Sequence, residues 1–209
     1  MITDLYLARL CQSAYDPGAS WDSRWTQKSV YVYCRKVVNT YAIVFRGSDN
    51  LTDWLDNLKG WPSHHKDLGF CHTGFLEDMD VVVGEVLALV NGHPIVITGH
   101  SLGAARALIL GALLTVLGVK PQSIVVFGSP RPGAGKLKKV LLDGGFPIRS
   151  YRNRSDPVCD VPYVMMRKWL PDFGIYQQPV DFTPLDVFDW RESGIKEHGI
   201  DLYVKGLSP

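Results

Sequence analysis

Cysteine is scarce in this chain, and nothing in its spacing points to a metal. The four cysteines lie far apart and form no Cys-x-x-Cys pair: Cys11, Cys34, Cys71 and Cys159. A chain of 209 residues can build a full core without disulfides, so we expect buried free thiols. His64, His65 and His72 also lack the carboxylate–histidine spacing of a zinc site. We therefore expect neither a metal nor a cofactor.

Runs of one charge and long apolar runs are missing as well. With 22 Lys and Arg against 21 Asp and Glu, the net charge of +1 predicts no nucleic-acid partner. The most apolar window, at 107–119, is shorter than the roughly 20 residues that span a bilayer. The first residues show neither the basic nor the apolar region of a secretory signal. We expect no transmembrane segment and a cytoplasmic protein, with release by a non-classical route left open.

The most informative stretch of the chain is residues 95–105. Four residues rich in β-branched side chains, Ile95 to Thr98, run into the pentapeptide Gly99-His100-Ser101-Leu102-Gly103. A near-continuous apolar segment follows, so the order is strand, sharp turn and helix. In this context Gly-x-Ser-x-Gly holds a serine nucleophile on a strained turn, and its glycines avoid collisions between strand and helix. A buried structural turn is the alternative reading of the same pentapeptide.

The pattern of elements along the chain favours an α/β fold. Residues 30–38 and 41–46 are rich in β-formers and flank Asn39-Thr40, which predicts an antiparallel N-terminal hairpin. After it, strands and helices alternate, which is typical of a mostly parallel central sheet with flanking helices. Residues 21–27 and 62–70 are predicted to be loops, and 73–91 one long helix. No linker interrupts residues 1–209, so we expect a single domain.

A serine nucleophile needs a histidine base, and only one histidine stands in the right place. In α/β-hydrolases the chain order is serine, then carboxylate, then histidine. Of the six histidines, only His198 follows Ser101. We therefore predict that His198 takes the proton of Ser101 and later gives it to the leaving alcohol. A surface histidine near the C-terminus is the alternative.

The carboxylate that orients this histidine is not decided by the sequence pattern alone. It should follow a strand at the same edge of the sheet, and Asp156 fits best because it follows the predicted strand 148–152. Asp160 is the next choice. A surface ion pair with a neighbouring arginine is the alternative role for Asp156. The remaining candidates lie at a helix end or in a stretch without clear structure: Asp143, Asp172 and Asp181.

An oxyanion hole needs two hydrogen-bond donors. One is the backbone N–H of Leu102, directly after the nucleophile. The other should come from the loop after an earlier central strand. Arg46-Gly47-Ser48 ends such a strand, so Ser48 can offer its backbone N–H and its hydroxyl. Ser48 could equally serve as an ordinary turn or capping serine.

A short amphipathic helix is predicted at about 49–61. Its apolar residues recur at helical spacing, namely Leu51, Trp54, Leu55, Leu58 and Trp61. It can be a lid that opens at a lipid surface, with Trp54, Leu55, Leu58 and Trp61 contacting substrate or interface. It can equally be a fixed helix whose apolar face packs on the core.

Six ordered motifs between about 41 and 160 resemble the class 3 lipases, a family of α/β-hydrolases that includes fungal triacylglycerol lipases and feruloyl esterases. They begin at Ile43, Asp53, His72, Thr98, Phe127 and Asn153. The resemblance implies a Ser101–Asp156–His198 triad with Ser48 and Leu102 at the oxyanion hole. It also implies a lid at 49–61 and structural roles for His72 and Arg46. The chain departs from the family at Ala104, where a third glycine is common, and shows no alignable motif between 161 and 197.

The function expected from these residues is serine carboxylic-ester hydrolysis without a cofactor. The resemblance favours a lipase that acts on acylglycerols and makes transient contact with a lipid interface. A phospholipase, a galactolipase or a short-chain esterase of the feruloyl type shares the same machinery, and the pocket decides among them. A non-catalytic binding protein on the same fold is the third alternative, although all three triad positions carry usable residues.

Overall fold

The structure, a computed structural model, describes residues 2–50, 62–162, 176–187 and 194–209. Most of the expected lid helix, with Trp54, Leu55, Leu58 and Trp61, lies outside these ranges, and so does Asp172. The described part of the chain contains no helix with the length and hydrophobicity needed to cross a membrane.

Seven strands form one mixed sheet, in the spatial order β1-β2-β3-β6-β7-β8-β9, and β4 pairs with β5 in a separate hairpin. The first three strands pair antiparallel, and β3, β6, β7, β8 and β9 pair parallel. The strand bounds are β1 Ser23–Gln27, β2 Val30–Val37, β3 Thr40–Phe45, β4 Pro62–His65, β5 Gly69–His72, β6 Ile95–His100, β7 Ser123–Phe127, β8 Ile148–Asn153 and β9 Phe182–Leu185. This arrangement confirms the predicted α/β-hydrolase sheet and its antiparallel N-terminal hairpin.

Helices cover both faces of the sheet. Within the part of the chain that the structure describes, two short 3₁₀ helices, at Pro157–Asp160 and Gly194–His198, follow β8 and β9. The α-helices are α1 Asp4–Ser13, α2 Thr73–Leu76, α3 Met79–Val90, α4 Leu102–Val116, α5 Gly135–Asp143 and α6 Ile200–Leu207. Of these, α4 is buried almost all round, which explains why its sequence shows no polar face.

The core has two halves because alternate residues of each strand point to opposite faces. Ile43 and Phe45 of β3 belong to the cluster formed with α3, α4 and α5. Ala42 and Val44 of the same strand belong to the cluster formed with α1 and α6. The central strands are therefore buried on both faces, as expected for the parallel part of an α/β sheet.

Three predicted segments differ from the structure. Residues 23–27 form an edge strand, although four of the five side chains are polar and only Trp25 packs against the core, so the sequence lacks the apolar alternation of a half-buried strand. The expected loop at 62–70 contains the β4–β5 hairpin. The expected single helix at 73–91 is divided into α2 and α3, because Asp78 between them adopts a φ of 59°.

The parallel strands carry the residues of interest to one edge of the sheet. Gly47 and Ser48 follow β3, Ser101 follows β6, and Asp156 follows β8, each at the carboxyl end of its strand. His198 ends the 3₁₀ helix beyond β9. Carboxyl ends of parallel strands share an edge, which is where open α/β sheets bind ligands.

Candidate active site

Ser101 lies on the sharp turn between β6 and α4, with φ at 60° and ψ at −132°. A positive φ is costly for a residue with a side chain, so the surrounding structure must impose it. A Cβ atom on Gly99 would collide with the carbonyl oxygen of Gly103, and one on Gly103 would collide with that of Phe45. The two glycines thus permit the close strand–helix approach that creates the turn, as the pentapeptide predicts.

The helix that begins at Leu102 directs its N-terminus at this turn. The first N–H groups of a helix have no partner within the helix, and the helix dipole adds partial positive charge there. The Ala104 N–H donates to the Ser101 carbonyl at 2.9 Å, which closes the first turn tightly. Leu102 is the first helical residue, so its N–H is one of the groups suited to binding an anion.

Asp156 and His198 are in direct contact, and both are buried. The distance from His198 Nδ1 to Asp156 Oδ2 is 2.6 Å. The hydroxyl of Tyr203 donates to the same Oδ2 at 2.6 Å, and the Val158 N–H donates to Oδ1 at 2.9 Å. Each carboxylate oxygen therefore accepts at least one hydrogen bond.

These contacts keep Asp156 ionised despite its burial. Burial raises the pKa of Asp156, but the hydrogen bonds from His198, Tyr203 and Val158 outweigh it, so the pKa lies below its ordinary value. Burial, followed by the negative charge of Asp156, raises the pKa of Tyr203 well above its usual range. Tyr203 is therefore a permanent donor to Asp156 at neutral pH.

Two buried polar atoms at this edge have no hydrogen-bond partner among the described residues. They are Ser101 Oγ and His198 Nε2, and both residues are 2% exposed. An unpaired buried polar atom costs about 1–3 kcal/mol, so native proteins contain few of them and often at functional sites. The two atoms do not form a hydrogen bond with each other in this structure, so each has its hydrogen-bonding capacity available for a substrate.

Gly128, after β7, completes the wall next to this pair. Its φ is 57°, and a Cβ atom there would lie 2.7 Å from His198 Cε1 and 2.9 Å from Asp156 Oδ2. The loop leaves space for the imidazole and the carboxylate only because residue 128 lacks a side chain. Neither the sequence pattern nor the spacing of Gly128 predicted this role.

The other carboxylate candidates have different surroundings. Asp160 accepts hydrogen bonds from Arg131 and Arg152 and is partly exposed. Asp143 pairs with Lys139 at the end of α5. Asp181 is exposed, just before β9. Among the described candidates only Asp156 contacts His198.

The loop after β3 approaches Ser101 closely. A Cβ atom on Gly47 would lie 2.9 Å from Ser101 Cβ, so the main chain preceding Ser48 is in contact with the nucleophile position. Ser48 Oγ donates to the Asn50 carbonyl at 3.1 Å and accepts from the Asn50 N–H at 3.3 Å. The hydroxyl of Ser48 therefore also stabilises the turn at residues 48–50.

Two residues with expected structural roles have contacts of that kind. His72 Nδ1 accepts the Gly74 N–H at 3.2 Å and caps α2. Arg46 packs its guanidinium 4.5 Å from the ring centre of Tyr31 and forms an ion pair with Asp49. Within the described ranges, no group of three or more His, Cys, Asp or Glu side chains is arranged to hold a metal ion.

Comparison with known proteins identifies relatives of the chain. The family model described as lipase (class 3) matches residues 42–166. The lipase of Rhizomucor miehei is 27% identical over 176 residues, which are 70% of this chain and 48% of that protein. Its solved propeptide complex has a TM-score of 0.66 at 24% identity, covering 77% of this chain and 62% of the other. At that identity the structural likeness supports the fold.

Two further relatives differ in their named activity. The secreted mono- and diacylglycerol lipase A of Penicillium cyclopium is 27% identical over 154 residues, 69% of this chain and 50% of that protein. A chloroplastic phospholipase A(1) of Arabidopsis thaliana is 26% identical over 151 residues, 59% of this chain and 34% of that protein. The chain spans about half the length, or less, of these curated relatives.

The relatives also correct the expected location. A cytoplasmic protein was predicted from the first residues of the chain alone, and the secreted lipases among its relatives contradict that prediction. The fold prediction, in contrast, is confirmed by the sheet order and by the structural neighbours. Because the family model covers more than half of the sequence, the chain belongs to the class 3 lipase family.

Proposed function

We propose that the chain is a serine carboxylic-ester hydrolase that acts on acylglycerols through an acyl-enzyme. Ser101 is the nucleophile, His198 the general base and Asp156 the carboxylate that orients it. The observation that carries this proposal is the geometry at His198. Its Nδ1 contacts Asp156 at 2.6 Å, while its Nε2 and Ser101 Oγ are buried and have no hydrogen-bond partner among the described residues.

In this mechanism His198 accepts the proton of Ser101 as the serine oxygen attacks the ester carbonyl carbon. The developing oxyanion binds the N–H groups of Leu102 and Ser48. Collapse of the tetrahedral intermediate breaks the ester bond, and the departing alcohol takes the proton from His198. Water, activated by His198, then attacks the acyl-enzyme and releases the acid. Asp156 stays ionised and stabilises the imidazolium form.

Substitution Ser101→Ala tests the role of the nucleophile. We expect turnover of p-nitrophenyl esters to fall by at least ~10³-fold while the protein stays folded. Ser150→Ala is a matched control, because Ser150 in β8 is also buried and its hydroxyl also lacks a partner among the described residues. Unchanged turnover in Ser101→Ala, or an equal loss in Ser150→Ala, would contradict the proposal.

Labelling separates a hydrolase from a non-catalytic binding protein. A fluorophosphonate reacts with an activated serine, so mass spectrometry should find the label on Ser101 in the native protein. The Asp156→Asn variant should label more slowly, since its histidine is no longer oriented correctly. Absence of the label from Ser101 in folded native protein would favour the binding-protein alternative.

The preference for acylglycerols over short-chain or feruloyl esters draws on the relatives named as lipases. Rates across acyl-chain lengths, below and above the solubility limit, test it. A lipase with transient contact to a lipid interface should gain activity when the substrate forms an emulsion. A rate that follows only dissolved monomer would favour the esterase alternative. The predicted lid side chains, Trp54 to Trp61, lie outside the described residues and remain a prediction.

A second candidate, hydrolysis of phospholipid esters, is favoured by one cavity. A cavity of about 600 Å³ borders Ser48 and Leu102, and charged residues of both signs also line it: Lys28, Arg46, Arg106, Asp49 and Glu77. Lys28 and Arg46 have carboxylate partners. Arg106 is 1% exposed and donates to the Ser29 and Gly74 carbonyls, with no ion pair among the described residues.

The charge of Arg106 persists at neutral pH. Burial lowers its pKa to about 10, which still leaves the guanidinium protonated. Glu77 and Asp78 stabilise this buried cation electrostatically but form no salt bridge with it, so the phosphate of a lipid head group would add a direct anionic partner. The three cations favour an anionic head group in this cavity, whereas Asp49 and Glu77 oppose it, so substrate kinetics must decide between the two candidates.

Matched substrates distinguish the two candidates. A diacylglycerol and a phosphatidylglycerol with identical acyl chains, each presented in the same neutral detergent micelles, differ only in the head group. Higher kcat/KM on the diacylglycerol supports an acylglycerol lipase. Higher kcat/KM on the phosphatidylglycerol, lost with Lys28→Gln or at high salt, supports the phospholipase. A galactolipid with the same chains extends the test to the galactolipase alternative.

A further inference from the structure

Three residues outside the triad, Gly47, Tyr15 and His100, form a series of hydrogen bonds that ends at the backbone of His198. The Gly47 N–H lies 3.1 Å from the Tyr15 hydroxyl, and that hydroxyl lies 2.9 Å from His100 Nδ1. His100 Nε2 in turn lies 2.8 Å from the carbonyl oxygen of His198. The imidazole rings of His100 and His198 stack, with their centres 4.6 Å apart.

The groups at the two ends of this hydrogen-bonded series, the Gly47 N–H and the His198 carbonyl, determine which partner donates in each bond. The Gly47 N–H can only donate, and the His198 carbonyl can only accept. His100 Nε2 must therefore carry a proton. If His100 is neutral, its Nδ1 is an acceptor, so the Tyr15 O–H donates to Nδ1 while the Tyr15 oxygen accepts from Gly47. One tautomer of His100 satisfies all three contacts.

The surroundings of His100 keep it neutral. Burial lowers the pKa of His100 to about 3, and the neighbouring His198 lowers it as well, against weaker opposing effects of the His198 carbonyl and Asp156. The ring of Tyr203 also faces it, with centres 5.9 Å apart. Burial likewise raises the pKa of Tyr15, so its hydroxyl keeps its proton.

These hydrogen bonds join positions that are adjacent to the residues of the proposed reaction. Gly47 directly precedes Ser48, an oxyanion donor in the proposed function, and His198 is the proposed base. His100 directly precedes Ser101, and a Cβ atom on Gly47 would lie 2.9 Å from Ser101 Cβ, so the series of bonds runs beside the nucleophile position. Errors of about 1 Å in such a constellation can cost ~10²-fold in rate.

We propose that Tyr15 and His100 are positioning residues for ester hydrolysis, which tie the oxyanion loop at Gly47 to the backbone of His198. Asp156 orients the ring of His198, and His100 holds the main chain that carries this ring. His100 performs this role as the neutral tautomer protonated on Nε2. The inference rests on the proposed function of Ser101 and His198.

Kinetics of Tyr15→Phe test the positioning role. The change removes one donor and one acceptor and leaves the Gly47 N–H without its partner. We expect kcat to fall about 10–100-fold with little change in KM, because only the alignment of reacting groups is disturbed. Tyr6→Phe is the matched control, since Tyr6 lies on the preceding helix and is more than one-third exposed. It should keep native rates.

Imidazole ¹⁵N NMR tests the same inference without any turnover. In the Ser101→Ala protein we expect His100 to show a protonated Nε2 and an unprotonated Nδ1 throughout pH 5 to 8. The added Tyr15→Phe change should shift the Nδ1 resonance, because that atom loses its donor. An Nδ1-protonated tautomer, or protonation of His100 within this range, would overturn the inference.

These experiments distinguish a failure of the proposed hydrolase function from a failure of the positioning role of Tyr15 and His100. If Ser101→Ala keeps full activity, the proposed function fails, while the NMR experiment still decides the tautomer. If Ser101→Ala abolishes activity but Tyr15→Phe retains native kcat, the positioning role alone fails. A loss in Tyr15→Phe that appears only in stability, with kcat unchanged at a temperature where the variant is folded, also contradicts it.

Discussion

His198 Nδ1 lies 2.6 Å from Asp156 Oδ2, although 42 positions separate the two residues in the chain. The carboxylate, kept ionised by three hydrogen bonds, requires a proton on Nδ1 of the histidine. Nε2 is then the unprotonated nitrogen, as a general base for Ser101 requires. The contact between Asp156 and His198 therefore determines both the tautomer and the orientation of the His198 imidazole.

Asp156→Asn tests this relation directly. An amide can donate to Nδ1 and favour the wrong tautomer, so we expect kcat to fall by about 10³–10⁴-fold with the fold preserved. Asp160→Asn is the control, because Asp160 pairs with Arg131 and Arg152 at a partly exposed position. It should stay within a few-fold of native activity. The reverse ranking would identify Asp160 as the functional carboxylate.

Tyr203→Phe tests the support behind the carboxylate. Loss of a buried hydrogen bond to a charged group costs about 1.5–3 kcal/mol. The pKa of Asp156 should also rise toward its ordinary value. The stability from a depressed carboxyl pKa is complete above the unfolded-state pKa and is lost as pH falls through the folded-state pKa. Acid unfolding of the variant, followed by circular dichroism, should therefore begin at a higher pH.

Tyr151→Phe is the matched control for that experiment. Its hydroxyl donates to Asp4 Oδ2 at the same distance, 2.6 Å, but Asp4 pairs with Arg149 and belongs to helix α1 rather than to the site. We expect Tyr151→Phe to keep native kcat, whereas Tyr203→Phe lowers it. Equal kinetics in the two variants would show that the Tyr203 hydroxyl does not support catalysis.

Gly128→Ala tests the space next to the triad. The new methyl group would lie within 3 Å of the His198 ring and the Asp156 carboxylate, so we expect activity to fall on the order of 10²-fold. Gly118→Ala separates strain from collision: its φ of 75° is equally unfavourable, but nothing lies within 4 Å of the added atom. Gly118→Ala should lose about 1–2 kcal/mol of stability from backbone strain alone, whereas Gly128→Ala should lose more because its methyl group also collides. Only Gly128→Ala should lose activity in kinetic assays of the folded proteins.

Local patterns account for what the sequence predicted well. The elbow at Ser101 depends on glycines two positions away, and the parallel strands depend on runs of β-branched residues, so both leave a signature within a few residues. The choice of His198 needed only the chain order of the fold. Its contact with Asp156 agrees with the prediction, while the catalytic roles of the three residues stay predictions.

Long-range contacts account for what the sequence did not show. Tyr203 and Tyr15 reach the site through hydrogen bonds across 47 and 85 positions, and no spacing pattern marks a tyrosine as such a donor. His100 belongs to the Gly-x-Ser-x-Gly pentapeptide, but nothing in the sequence indicates that its ring stacks on the ring of His198. The edge strand β1 was missed for another reason, because its mostly exposed side chains resemble those of a loop.

His100 also predicts a dependence of stability on pH. Because burial and His198 lower its folded-state pKa to about 3, the unfolded chain binds a proton below about pH 6.5 that the folded chain does not. The free energy of unfolding should therefore decrease as the pH falls through that window, by up to about 1.4 kcal/mol per pH unit from this residue. His100→Gln removes the titrating group, so its stability should fall less steeply between pH 6 and pH 4, even if it is lower throughout. Urea titrations at four pH values measure both slopes, and parallel slopes for the two proteins would show that His100 is protonated in the folded chain.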